Sequence, residues 1–468
     1  MAALVWVAAA APTAVSRAAE DSSVVGYPVF NKASVLNTQA PGRSGVYWNA
    51  NVATDGKGAW IAVWHSSNTL DKRIGRDWDI LFALSSDNGE TWTDAEPLNT
   101  NAESDEGSDR SPVALSDGRG GWLVFWTSAD SLNGSIGLDR DILFSRSSDG
   151  GKTWASPLPL NINASSDWGD DADARAATDG KGHWVVVWNS NDTLGNTIGG
   201  DRDIMVASSS NNGVTWSTTQ ALNSNAATDA GFDISPYIAT DAHGYWLVVW
   251  SSGESMNNQV GMDRDIFIAR SSDNGHTWTA PQALNTNAAE DTRSDTSPAV
   301  ATNGKGAWIA TWSSNDTLDG TIGMDRDILV ARSTDRGDSW SDPEPLHPSA
   351  FTDAREDSSP TVVADDSGNW VAVWHSWDSF NEHLGVDADI LLAHSRDDGV
   401  SWSLPVALNP GASSDAGDDV LPQIATDGAG HWVAVWQSFD PVGNAIAGFE
   451  WDIKVSAGVV ARQIPKTD

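Results

Sequence analysis

The sequence predicts an all-β chain folded as a seven-bladed β-propeller with four antiparallel strands per blade, and three observations predict it. The first is an uninterrupted 62-residue period. Trp60, Trp122, Trp184, Trp246, Trp308, Trp370 and Trp432 recur at that interval, each followed four residues later by Trp64, Trp126, Trp188, Trp250, Trp312, Trp374 and Trp436. The second is the content of each period: four strand-like segments separated by turn-forming residues, the pattern of a propeller blade. The third is the fit of the two ends. Copy seven stops after its third segment, Asp452 to Val455, whereas Ser34 to Asn37 matches the fourth-strand pattern that ends at Asn99, 62 residues further on. An N-terminal strand is therefore expected to complete the last blade and pair two edges that would otherwise template aggregation.

Taken in order, residues 2–12 are apolar but too short to span a bilayer, and small residues around Arg17 sit at cleavage spacing. Residues 1–19 are therefore expected to be a secretory signal, and 20–468 a single propeller that is extracellular or periplasmic. The expected blades are 46–99, 108–161, 170–223, 232–285, 294–347, 356–409, and 418–458 plus 30–37. Length alone suggests about three domains, but one repeat running through all 468 residues favours one closed array.

Within a copy, Ser111 to Leu115 reads as a first strand. A Thr-Asp-Gly-Lys-Gly type of turn leads to the second, its glycines supplying positive φ. The second strand, exemplified by Trp184 to Trp188, is apolar on both faces, as expected when neighbouring sheets cover both sides. Asp141 to Ser145 reads as the third and Pro157 to Asn161 as the fourth. Burying one tryptophan removes about 150–250 Å² from water, roughly 4–6 kcal/mol gross at ~25 cal/mol/Å². A core, not a sugar-binding ladder, therefore accounts for the repeating set.

Between the third and fourth strands lies Ser-x-Asp-x-Gly-x-Thr-Trp, seen as SSDNGETW ending at Trp92 and SSDGGKTW ending at Trp154, with later copies ending at Trp216, Trp278, Trp340 and Trp402. Copy three carries Asn211 for the aspartate, and copies five and six carry Ser339 and Ser401 for the threonine. This motif resembles the Asp box of sialidases and BNR-repeat proteins. The resemblance covers six of the seven copies and implies a propeller whose functional face lies opposite the boxes. It also implies, for an active sialidase, an arginine triad, a late tyrosine nucleophile paired with glutamate, and an aspartate acid/base. The Arg-Ile-Pro signature of that family is absent here, and the only tyrosines are Tyr27, Tyr47, Tyr237 and Tyr245.

Composition narrows the partners. With Lys+Arg 27 against Asp+Glu 64, the net charge of −37 argues against nucleic acid and anionic membranes. Cysteine is absent, so disulfides and thiolate metal sites are excluded. No segment is expected to insert into a membrane, and a monomer is expected.

Alternating strand direction sends the 2–3 and 4–1 connections to one face, and these are the long loops that usually carry binding residues. Two acidic patterns recur there. One opens the third strand, as Asp77/Asp79 and Asp139/Asp141. The other precedes the first strand, as Asp105/Asp109 and Asp167/Asp171. Asp139, Asp141, Asp105 and Asp109 are thus candidate ligands for Ca²⁺, a hard cation taking six to eight oxygens, although no cofactor is required and capping of loop amides explains the same residues. Arg140, Arg202, Arg264 and Arg326, between the paired aspartates, read as counter-charges.

Departures from the repeat matter more, because a shared position serves the fold and an exception can serve a ligand. Copy one carries Arg43, Tyr47 and Trp48 where other copies have Asp-x-x-x-Asp, and Lys72, Arg73 and Arg76 in its 2–3 loop. Beyond Trp6, the non-repeating tryptophans Trp48, Trp78, Trp168, Trp377 and Trp451 all fall on long-loop positions. The candidate ligand site is an arc over copies six, seven and one, with Trp377, Trp451, Trp48 and Trp78 as stacking surfaces and Arg43, Arg73 and Arg76 as carboxylate partners, suited to an anionic sugar. Sequence drift where the ends of the ring meet would produce the same pattern. No catalytic residue is assigned. The expected function is a secreted, non-catalytic recognition module for carbohydrate or protein, the alternative being an exo-sialidase-like glycoside hydrolase.

Overall fold

The computed structural model describes residues 28–37, 45–70, 73–256, 260–351, 355–379, 384–409, 411–413, 417–439 and 451–460. Residues 1–19 and Arg43 lie outside them. Blade two shows how a copy folds, with strands at Asp109–Ser116, Trp122–Ser128, Asp141–Ser147 and Leu158–Pro159 paired antiparallel in that order. Every residue of the second strand is buried in each of blades one to six, as its unbroken apolar run requires when blades cover both faces. The fourth strand is shorter than its sequence suggests. Only Leu158 and Pro159 pair with Phe144 and Leu143, and the proline-free Gln220–Ala221 and Gln282–Ala283 are equally short, as befits an outer edge with no strand beyond it.

Packing between sheets makes the core. Ile61, Val63 and Phe82 of blade one meet Trp122, Trp126 and Leu143 of blade two in one cluster, and the same register recurs around the ring. Val433 and Val455 of blade seven meet Trp60, Trp64 and Leu81 of blade one, which closes it. The last sheet is completed by the N-terminal segment. Pro28–Phe30 and Ser34–Val35 both pair with Asp452–Val460, and the Leu36 amide donates to the Ile453 carbonyl at 2.8 Å. Among the described residues no helix is long and apolar enough to cross a membrane.

The Asp boxes do two jobs. Asp87 accepts the Thr91 amide at 2.9 Å and its hydroxyl at 2.6 Å, and Ser85 donates to Asp87 at 2.8 Å, which closes the turn. The glycine that follows at φ 83° also permits blade contact, for a Cβ on Gly89 would fall 2.5 Å from Val433 Cγ2 in blade seven.

Candidate functional site

Three regions of the long-loop face and the channel bring chemistry-bearing residues together. The first is the seam between successive blades. Strand three opens with Asp77 and Asp79, and the 4–1 loop delivers Asp105 beside them; oxygens of these three lie within 4.8 Å of one another. Equivalent triads are Asp139/Asp141/Asp167, Asp201/Asp203/Asp229 and Asp263/Asp265/Asp291. The sequence-predicted ligands therefore divide between seams: Asp139 and Asp141 belong with Asp167, and Asp105 with Asp77 and Asp79. Asp109 lies at the same seam as Asp105, 1% exposed, beside the Ser128 hydroxyl and the Trp126 indole. Asp353, Asp415 and Glu450, which the repeat assigns to the later seams, lie outside the described residues.

A buried asparagine holds each triad in place. Asn99 Nδ2 donates to Asp79 Oδ1 at 2.9 Å while its oxygen accepts the Ile80 amide, leaving Asp79 Oδ2 buried with no donor. Burial first, and then the charges of Asp105 and Asp77, push Asp79 up to about 8 against the Asn99 bond. Burial and the Asp77 and Asp130 charges push Asp105 up to about 7. Asp141, Asp203 and Asp265 are likewise pushed up to about 7, chiefly by burial. The arginines read as counter-charges do not fill that role. Arg140 is exposed, Arg202 donates to Asn189, and Arg264 Nη1 is buried without a hydrogen-bond partner.

The second region is the predicted arc. The ring does bring Trp48 and Trp451 together, with centroids 5.5 Å apart, and Phe439 stands 5.3 Å from Trp451. Trp78 sits between His65, at 5.0 Å, and the Arg110 guanidinium, at 5.1 Å. Trp377 lies edge-on to His375. These rings are half-buried and each packs tilted or edge-on against an aromatic neighbour. Arg73 reaches outward to Glu96 on the edge strand at 2.8 Å, while Arg76 is exposed. Tyr47 is buried and accepts a hydrogen bond from Asn68 at 2.5 Å.

Sequence reasoning passed over two features. Trp168, non-repeating but outside the arc, is 90% exposed beside a groove of about 760 Å³ walled by Ile162, Asn163, Asn191, Thr193 and Asn196. Other copies place Glu106, Ala230 and Thr292 at its position. The other feature is the central channel, about 250 Å³, where every first strand bulges and puts a left-handed residue on the wall: Asn49, Ser111, Asp173, Ser235, Ser297, Ser359 and Leu421. Arg175 stands over the Tyr237 ring there, 6.0 Å from its centroid. Asp173-Ala174 replaces the Ser-Pro pair of neighbouring first strands and Arg175 stands where they carry Val113 and Tyr237, a signal visible in the sequence but outside the loops.

Residues 34–246 match the BNR repeat-like domain family. The boxes and the 62-residue march continue beyond that span to Trp402 and Trp436. The chain is a seven-bladed β-propeller whose N-terminal part is similar to that family. No curated protein matches it in sequence. Similar solved structures include a protein of unknown function from Dyadobacter fermentans, at 12% identity, covering 94% of this chain and 100% of that one, with a TM-score of 0.49. The NanB sialidase of Streptococcus pneumoniae aligns at 10% identity over 93% and 98% of the two chains, with a TM-score of 0.45. An α-L-arabinanase of Penicillium chrysogenum, complexed with arabinobiose, aligns at 15% identity over 73% and 90%, with a TM-score of 0.43.

Proposed function

We propose that this propeller is a secreted, non-catalytic recognition module that binds neutral glycan at the Trp168 groove. The observation that carries this reading is the open face of Trp168, walled by asparagine and threonine side chains, since sugars are gripped by an aromatic platform under their C–H face and by amide and hydroxyl groups around their rim. A net charge of −37 and the neighbouring Asp167 and Asp192 favour an uncharged ligand over an anionic one. The Trp48/Trp451 arc is the competing location, and its basic side chains would select an anionic sugar.

A glycan array probed with wild-type protein and with Trp168→Ala tests both. Loss of binding of about tenfold or more in Trp168→Ala, with Trp48→Ala/Trp451→Ala unaffected, is the expected result. The reverse pattern would move the site to the arc. Turnover of a fluorogenic sialoside by the wild-type protein would overturn the non-catalytic reading and favour an exo-sialidase-like hydrolase.

A further inference from the structure

We infer that the first four blade seams are calcium sites, one ion per seam, each held by one of the triads Asp77/Asp79/Asp105, Asp139/Asp141/Asp167, Asp201/Asp203/Asp229 and Asp263/Asp265/Asp291.

The spacing fits the ion. Calcium–oxygen bonds of about 2.3–2.6 Å allow two ligands of one ion to lie up to about 4.6–5.2 Å apart. The triad oxygens lie within 4.8 Å of one another. They belong to carboxylates alone, the donor set a hard cation selects.

Independent of the clustering, each triad holds a buried oxygen that lacks a donor. Asp79, Asp141, Asp203 and Asp265 are 0–1% exposed; in each, one oxygen accepts from an asparagine and Oδ2 is buried with no hydrogen bond. Asp109, 1% exposed beside the Ser128 hydroxyl and the Trp126 indole, adds a further buried carboxylate to the first seam. A buried acceptor-only group left without a donor is costly, and a buried charge more so, unless a cation completes it. The chain is also drawn tight around each triad. A Cβ on Gly75, Gly137, Gly199 or Gly261 would fall 2.5, 2.2, 2.4 and 2.3 Å from Oδ1 of the aspartate two residues on.

The later seams supply the comparison. At the fifth, His347 replaces the asparagine, and its Nε2 lies 2.9 Å from Asp357 Oδ2, the counterpart of Asp109, which also accepts from Trp374 Nε1 at 3.1 Å. At the sixth, Lys454 Nζ stands 3.8 Å from Asp419. At the seventh, Tyr47 and Asn68 bond to each other where the first seam has Asp109 and Asp130. These three seams thus bring a histidine, a lysine or a neutral pair to the place of Asp109 or its counterpart. In the first four seams no cationic side chain is paired to the triad among the described residues.

The test uses the full chain, stripped with EDTA and desalted, then equilibrated with CaCl₂ and counted by elemental analysis and calorimetry. Terbium luminescence excited through the nearby tryptophans is a second readout, since the Trp126 indole lies beside Asp109. Four ions per chain are expected, with Asp79→Asn and Asp141→Asn each removing one. Asp105→Asn, on the loop, repeats the first-seam test should Asp79→Asn fail to fold. No bound calcium, or a count unchanged by folded variants of both seams, overturns the proposal and leaves these groups as shared-proton carboxylic acids. Because Asp167 also borders the Trp168 groove, ion count and not glycan binding is the readout, so either idea can fail alone.

Discussion

His65 and His375 occupy a second-strand position where other blades carry Thr127, Asn189, Ser251, Ser313 and Gln437. Burial, aided by the Arg110 charge, holds His65 down at about 3, and burial alone holds His375 at about 4. Both are neutral when folded and titrate near 6.5 when unfolded, so the unfolded chain binds more protons between those values. Their contribution to stability is complete above pH 6.5 and is lost as pH falls toward 4, by about 2 kcal/mol per histidine between pH 7.5 and 5. A His65→Ser/His375→Ser variant is expected to lose less stability than wild type over that interval, measured by urea denaturation at both pH values. Glycines offer a second contrast. Gly275 and Gly134 share φ 79°, but a Cβ on Gly275 would strike Val185 Cγ2 at 2.4 Å while Gly134 faces open space. Gly275→Ala should cost about 1–3 kcal/mol more than Gly134→Ala by denaturant midpoint, the difference being overpacking between blades. The left-handed glycine of the box was legible from the motif. The neighbour it touches was not, since Val185 belongs to the preceding blade.

Among elements, the N-terminal segment has the largest leverage. Besides its ladder bonds, Asn37 donates to Asp452 Oδ1 at 2.8 Å and accepts the Ile453 amide at 3.0 Å, and the Ser456 hydroxyl donates to the Asn31 carbonyl at 2.6 Å. Removing residues up to 44 leaves the Asp452–Val460 edge unpaired. Such a truncation is expected to lower the melting temperature and to form higher-order species on size-exclusion chromatography, because an open strand pairs with the next available chain. This closure was readable beforehand because Ser34–Asn37 keeps the phase of the repeat. The brevity of the fourth strands was less so, because pairing at an outer edge depends on what lies beyond it, and here nothing does.

At the scale of the whole molecule, the ring concentrates a net charge of −37 and gathers carboxylates at its seams. Metal-free protein should therefore gain thermal stability as monovalent salt rises from ~0.01 M to ~0.5 M, through screening of like charges. Calcium at millimolar level should raise the melting temperature at low salt and flatten that dependence, as differential scanning calorimetry would show. A steep salt response unaltered by calcium would mean that the repulsion lies on the outer surface and not in the seams.

By itself, the sequence determined the blade count, the strand order, the box turns and the closing partner. Each is a property of local spacing: period two in strands, glycine and aspartate in turns, and a phase conserved across 62 residues. It also marked Asp77, Asp79, Asp105 and Asp109 as recurring acids. Only the tertiary structure decided which of them meet, because a seam joins the third strand of one blade to the loop entering the next. It likewise turned Arg73 toward Glu96, set Trp48 against Trp451, and left Trp168 facing solvent. Exposure and partnership depend on what the ring places opposite a side chain, and the spacing of residues along one chain carries no record of that.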